Sequence, residues 1–274
     1  MRRIAIALAA FLAACTPSAE QPTTTTEVPI TGGVPARVEA VLDGDSARVT
    51  VDGAEVEVRL LGINSPERGE CWADEARATL EERVAEGDIS LVGTEKDQYG
   101  RLLVYLYAGS TNINRRQVLD GSAIAIATEH AELPDFLAAE EEAIALERGW
   151  WNAEACGSEG VRAELRIWTV EPDAPGRDDQ NPNGEFVAIT NDGPDSDLSG
   201  WMLRDESSVH RYTFPDGFVL KSGGVITIRS GCGQDEGSYS YWCADGPVWN
   251  NSGDTVLLLD PSGAIVDRVR YFGN

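Results

Sequence analysis

The chain has 274 residues and carries 46 Asp and Glu against 22 Lys and Arg, a formal net charge of −24. The excess is distributed: residues 35–156 hold 11 Arg and Lys against 25 Asp and Glu (net −14), and residues 157–274 hold 9 against 19 (net −10). This argues against nucleic-acid binding through overall phosphate neutralisation, and leaves such binding only to a cleft whose local field is positive.

Along the chain, residues 1–15 read as an export signal: Arg2 and Arg3 precede an apolar stretch, 4–14, too short to span a bilayer. Its end, Leu12-Ala13-Ala14-Cys15, resembles the lipobox of bacterial lipoproteins. That resemblance implies a diacylated Cys15 and an anchor on the outer side of a membrane; ordinary cleavage among small residues, with Cys15 incidental, is the alternative. Residues 16–34, rich in Thr, Pro and Gly, read as a disordered tether. The remainder, about 240 residues, suits two domains.

The first domain is predicted over 35–156. Period-two alternation marks strands at 36–41, 47–51 and 55–61, with Asp52-Gly53 as a two-residue hairpin turn. Helical spacing covers 73–85, strands follow at 89–92 and 101–107, and helices at 115–120 and 134–148. The result is an α+β unit, a small barrel of about five strands with three helices. The second domain, 161–274, has no convincing helix; apolar runs at 164–170, 185–189, 201–203, 225–228, 255–259 and 265–271 between turn signals predict an antiparallel, all-β sandwich.

Three motifs in the first domain carry chemistry: Asp43-Gly44-Asp45-Ser46, Arg59-Leu60-Leu61-Gly62-Ile63-Asn64-Ser65-Pro66-Glu67 and Asp97-Gln98-Tyr99-Gly100-Arg101. They offer oxygen ligands for a hard cation, a further carboxylate and two arginines, the set that phosphodiester hydrolysis needs. Each has a bland reading. Asp-Gly-Asp caps turns, Arg59 could pair with Glu55 or Glu57, Ser65-Pro66-Glu67 could start a helix, and Gly100-Arg101 could be a turn. Order and spacing together, 14 residues from Asp45 to Arg59 and 8 from Arg59 to Glu67, outweigh those readings. The pattern resembles the staphylococcal nuclease (thermonuclease-like) family, whose fold is an OB-type barrel.

The resemblance implies calcium held by Asp45, Asn64 and, through its backbone carbonyl, Ser65. It implies Glu67 as general base or organiser of the attacking water, and Arg59 and Arg101 as phosphate ligands. The implied substrate is DNA or RNA. Three positions depart from the family. Asn64 stands where the family often has Asp; the amide keeps an oxygen donor but loses a negative charge, so weaker calcium binding is expected. Gln98 stands where a lysine is expected, and 123–128 lacks the tyrosines that flank a bound nucleotide. Tyr99 is the remaining stacking partner, with a core role for its ring as the alternative. His130 is expected at the surface rather than as a base.

In the second domain, Asn183 to Asn191, Asp197 to Leu203 and Val248 to Val256 resemble the lamin-tail domain, an immunoglobulin-like sandwich. That implies an accessory or binding role toward an unnamed ligand, with the tryptophans as core and turn anchors. Setting Cys15 aside, an exported chain with four cysteines favours disulfides, and the domain layout selects Cys71–Cys156 and Cys232–Cys243. A four-thiolate zinc site is the alternative, without any Cys-x-x-Cys pair to support it.

The expected function is an extracytoplasmic, calcium-dependent endonuclease, lipid-anchored to the bacterial cell envelope. The alternative is a low-turnover nuclease-fold binding module at the cell surface. Abundant Asp and Glu with lysine only at Lys96 and Lys221 resembles proteins of saline habitats, where the Debye length shrinks to roughly 3 Å. Raising NaCl from 0.1 M to the molar range is therefore expected to raise both the thermal midpoint and the activity; full stability at low salt with no gain would contradict this.

Overall fold

A computed structural model describes residues 33–93, 95–157 and 164–273. The export signal, Cys15 and nearly all of the tether lie outside the described residues. Among the described residues, no helix is long and apolar enough to cross a membrane.

The first domain contains strands β1 (Val34–Pro35), β2 (Arg37–Val41), β3 (Ser46–Val51), β4 (Ala54–Leu60) and β5 (Ile63–Asn64), then helix α1 (Ala73–Val84). Strands β6 (Ile89–Val92), β7 (Leu102–Ala108) and β8 (Thr111–Asn112) precede α2 (Ile113–Leu119), β9 (Ile124–Ala125) and α3 (Leu133–Ala145). The β3–β4 turn has Asp52 at φ 50° and Gly53 at φ 79°. Positive φ at both central residues matches the twist of the flanking strands, which is why Asp-Gly makes this hairpin. Val49, Val58, Leu60, Val104 and Leu106 of the sheet are buried against Leu80 of α1, Ile113 and Val118 of α2, and Phe136 and Ala139 of α3.

The strand path runs β1-β6-β7-β4-β3-β2, with β4 and β7 parallel and β8 added to β7. It does not close, so the predicted barrel is an open, curled sheet. A groove of about 450 Å³ separates β2 from residues 87–89 and the end of α1. The cause is local. Strand β1 has two residues, one of them Pro35 without an N–H, and β2 carries a register shift between Val38 and Ala40.

The second domain contains β10 (Leu165–Glu171), β11 (Phe186–Asn191), β12 (Ser196–Asp197), β13 (Met202–Arg204), β14 (Arg211–Thr213) and β15 (Val219–Leu220). It ends with β16 (Val225–Arg229), β17 (Tyr239–Tyr241), β18 (Gly253–Leu259) and β19 (Ile265–Phe272). Sheets β10-β11-β16-β17 and β14-β13-β18-β19 enclose a core of Val187, Ile189, Ile226 and Ile228 against Leu203, Val256 and Leu258, with Trp201 and Trp249 inside. Strand β17 pairs in parallel with β16, the exception to the antiparallel expectation. Trp168 is exposed, the exception among the tryptophan anchors.

All seven residues of β18 are buried, which one sandwich core does not explain. Val256 and Leu258 face that core, whereas Leu257 and Leu259 join a separate cluster with Ile124 and Trp150 of the first domain. Cys71, Trp72, Trp151, Cys156, Met202 and Ile265 pack around this cluster. The Trp150 Nε1–H donates to the Gly263 carbonyl at 2.9 Å. Beside it, fully buried Glu140 pairs with Arg270 at 2.5 Å and Arg268 at 3.3 Å, and accepts the Ala125 N–H at 2.9 Å. The domains thus share a dry, charged interior. Both expected disulfides form, Cys71–Cys156 and Cys232–Cys243, so the cysteines do not hold zinc.

An interface built like a core couples the two domains, so calorimetry is expected to show one unfolding transition rather than two. Glu140→Ala leaves the mostly buried Arg270 guanidinium without its anion, Arg268 keeping Glu141, and is expected to cost about 3 kcal/mol in denaturant unfolding.

Candidate active site

The turn before β3 uses its two aspartates differently. The Asp43 carboxylate accepts the Asp45 N–H at 3.1 Å and the Ser46 hydroxyl at 2.5 Å, fixing the turn. Asp45 is thereby left free for another role. Gly44 sits so tightly that an added Cβ would lie 2.7 Å from the Cβ atoms of both Ala76 and Ser65. Its carbonyl accepts Gln117 Nε2 at 2.7 Å. Helices α1 and α2 therefore press the turn against the loop after β5, and Asp45 Oδ2 accepts the Ser65 N–H at 2.6 Å.

Arg59, near the end of β4, completes the cluster. Its Nη2 donates to Asn64 Oδ1 at 2.7 Å and lies 3.1 Å from Asp45 Oδ2, while Nη1 donates to the Leu60 carbonyl at 2.8 Å. Asp45 is 5% exposed. Burial lifts its carboxyl to about 6, aided by neighbouring Asp43 and opposed by Arg59. The Asn64 amide has one possible orientation: guanidinium groups only donate, so the oxygen faces Arg59, and Nδ2 donates to Ser208 Oγ of the second domain at 2.9 Å.

Glu67 is exposed at the loop's far end. Its backbone N–H donates to Glu70 Oε2 at 2.7 Å, and its carbonyl accepts the Glu70 N–H at 2.9 Å. Arg101 is not gathered with the others: its Nε donates to Asp97 Oδ2 at 2.7 Å and its guanidinium carbon lies 5.5 Å from the centre of the Tyr99 ring. Strand register sets Arg59 beside Leu103, so Arg101, two residues earlier, falls on the same face of the sheet. Tyr99 is 74% exposed, which removes the core reading of its ring. His130 is not the surface residue expected. Tyr105 Oη lies 2.9 Å from its Nδ1, its ring packs 5.1 Å from Phe136, and it fills the space where a Cβ on Gly62 would stand.

The structure therefore joins Asp45, Arg59, Asn64 and Ser65, sets Glu67 at their margin, and places Arg101 and Tyr99 on a neighbouring turn. No group of three or more His, Cys, Asp or Glu side chains suited to a metal occurs among the described residues. The donor set nonetheless fits a hard cation. A carboxylate oxygen and an amide oxygen converge on one positively charged nitrogen, the environment a divalent ion would take over. Sequence reasoning missed Glu70, Arg204, Ser208 and Arg211. A Glu67-x-x-Glu70 spacing was visible for the first; nothing local marks three residues in another domain.

Comparison with known proteins assigns a family to each half of the chain. Residues 57–153 match the family described as staphylococcal nuclease homologue, and residues 159–273 match the lamin tail domain. An uncharacterized endonuclease of Haemophilus influenzae is 32% identical over 116 residues, covering 42% of this chain and 65% of that protein. A micrococcal nuclease of Shigella flexneri is 32% identical over 105 residues, covering 35% of this chain and 60% of the relative. Protein ParB of Escherichia coli is 30% identical over 125 residues, covering 42% of this chain and 71% of ParB. The chain thus spans less than two thirds of the first two relatives.

An aspartate raised from 3.8 to about 6 favours the folded state when protonated, so its contribution is complete below pH 4 and is lost as pH rises through 6. Asp45→Asn mimics the protonated form. It is expected to stabilise the metal-free chain at pH 8 by up to about 3 kcal/mol, and the advantage should vanish below pH 4 in thermal denaturation.

Proposed function

Because the chain belongs to the staphylococcal nuclease family and continues into a lamin tail domain, we propose that it is a calcium-dependent endonuclease cleaving DNA, RNA or both. One observation carries the reading: the Asp45 and Asn64 oxygens converge on the Arg59 guanidinium, next to the loop that bears Glu67. A nuclease needs such a focus, whereas a protein that only binds has no use for an exposed carboxylate at its edge. Asp45, Asn64 and the Ser65 carbonyl would hold calcium, which supplies neutralisation of phosphoryl charge and orientation of the phosphate. Glu67 accepts the proton of the attacking water. Arg59 turns its Nη2 from the site's own oxygens to a phosphoryl oxygen, and Arg101 donates a second pair of hydrogen bonds as charge develops. Exposed Tyr99 stacks on a base.

The proposal places the enzyme outside the cytoplasm, tethered through a lipidated Cys15. Two disulfides support that placement, since they persist in oxidising compartments. Zymograms on DNA and on RNA, run with calcium and with chelator, test the reading. Cleavage is expected with calcium alone, and Glu67→Ala or Arg101→Ala is expected to slow it by at least about 100-fold. Calcium-dependent cleavage at the wild-type rate by Glu67→Ala would overturn the mechanism.

A further inference from the structure

We propose that the lamin tail domain is a working half of the active site, its Ser208 positioning Asn64 and its Arg204 and Arg211 positioning the loop that carries Glu67. The inference rests on the nuclease reading above and deepens it.

The first line of argument runs through Ser208, in the turn between β13 and β14. Ser208 has φ 65°, a left-handed conformation that is uncommon for a residue with a Cβ. The strain is held by bonds at both ends of the residue: Oγ accepts Asn64 Nδ2 at 2.9 Å, and the carbonyl accepts Arg211 Nε at 2.9 Å. Asn64 and Ser208 are both buried, at 4% and 7% exposure, so water does not replace this partner. The turn is itself braced, because the Asp205 carboxylate accepts the Ser207 hydroxyl at 2.6 Å and lies 2.9 Å from His210 Nδ1. With its nitrogen tied to Ser208, the Asn64 amide presents its oxygen to the Asp45–Arg59 focus. Once Arg59 turns to a phosphoryl oxygen, an amide without Ser208 would be free to turn its N–H groups toward the place a cation must occupy.

The second line runs through Glu70 and shares Arg211 with the first. The carboxylate that accepts the Glu67 N–H also pairs with Arg204 at 3.1 Å and with Arg211 at 2.6 Å. Register places Arg204 directly opposite Arg211 on adjacent strands. Like charges so placed repel unless an anion joins them, and Glu70 is that anion. Arg204 is fully buried, with its guanidinium carbon 5.1 Å from the centre of the Trp150 ring. The peptide bearing Glu67 is therefore anchored to a carboxylate whose place is set by the other domain. Docking alone asks for neither contact, because the Trp150 and Glu140 clusters already close the interface.

The test uses the full chain and four variants: Ser208→Ala, Asn64→Ala, Arg211→Ala and Arg211→Lys. Calorimetric titration with calcium is expected to show Ser208→Ala binding about two- to tenfold more weakly, the range of one hydrogen bond, with the thermal midpoint lowered by only a few degrees so that the chain stays folded. In the Asn64→Ala background the same substitution should add nothing. Arg211→Ala, which also removes the donor to the Ser208 carbonyl, is expected to lower both kcat and calcium affinity, with partial recovery in Arg211→Lys. It should also speed hydrogen exchange at the Glu67 amide, a readout that needs no turnover. Unchanged calcium affinity in Ser208→Ala together with unchanged Glu67 exchange in Arg211→Ala would overturn the proposal. A wild-type chain that neither binds calcium nor cleaves would instead overturn the nuclease reading, while the exchange measurement still decides whether the second domain holds the Glu67 loop.

Discussion

A carboxylate held mostly away from water needs partners for its charge, and Glu70 finds them on both sides of a domain boundary. One oxygen takes the N–H of Glu67, and the pair together meets Arg204 and Arg211. Removing the acid would leave Arg204 as a wholly buried charge, which costs more than any single hydrogen bond gives back. The β13–β14 hairpin, the loop after β5 and the ring of Trp150 are thus fixed by one another. The shared apolar cluster and the Glu140 pairs close the interface, and this ion pair ties the Glu67 loop to the β13–β14 hairpin across it.

The same arrangement explains how so acidic a chain supports a site for a polyanion. Five of its arginines stand where the domains meet or where chemistry is expected. Arg59 lies on Asp45, Arg204 and Arg211 on Glu70, and Arg268 and Arg270 on Glu140. Arginine suits these places because its planar fork binds a carboxylate through several donors and sheds water more readily than an ammonium. Much of the remaining negative charge faces solvent, where ions screen it, although Glu185, Asp205, Glu206 and Asp254 are buried.

Much of this was legible in the sequence because it is local. The hairpin at Asp52-Gly53, the three helices and six strands of the sandwich, among them its five longest, follow from period and turn chemistry alone. The motifs proposed to hold a cation were legible through the combination of residue type and spacing. Strands such as Ile63–Asn64 and Ile124–Ala125 were not, since two residues show no alternation. The fold expectation holds except for full closure of the barrel: at its seam, among the described residues, only β1 and the Ala36 N–H, which donates to the Ile89 carbonyl at 2.9 Å, tie this edge to β6. Ser208 was least accessible of all. Nothing about a serine in a turn signals that its hydroxyl lies against an asparagine 144 positions earlier. Even so, the all-apolar run of Val256 to Leu259 held a clue, because a sandwich strand covered on one face would alternate.

Asn64 looks, within its own domain, like a weakened version of an acidic ligand. Its bond to Ser208 gives the amide nitrogen a purpose that a carboxylate lacks. The consequence concerns heredity more than mechanism. Two domains that touch only through surfaces can be shuffled among genes as independent modules. Here a chimera that exchanges either half would receive one partner of a strained, buried pair and none of the other. The unit that recombination must carry intact is the whole span from the Asp45 turn to the last strand, and the linker between the two domains is not a place to cut.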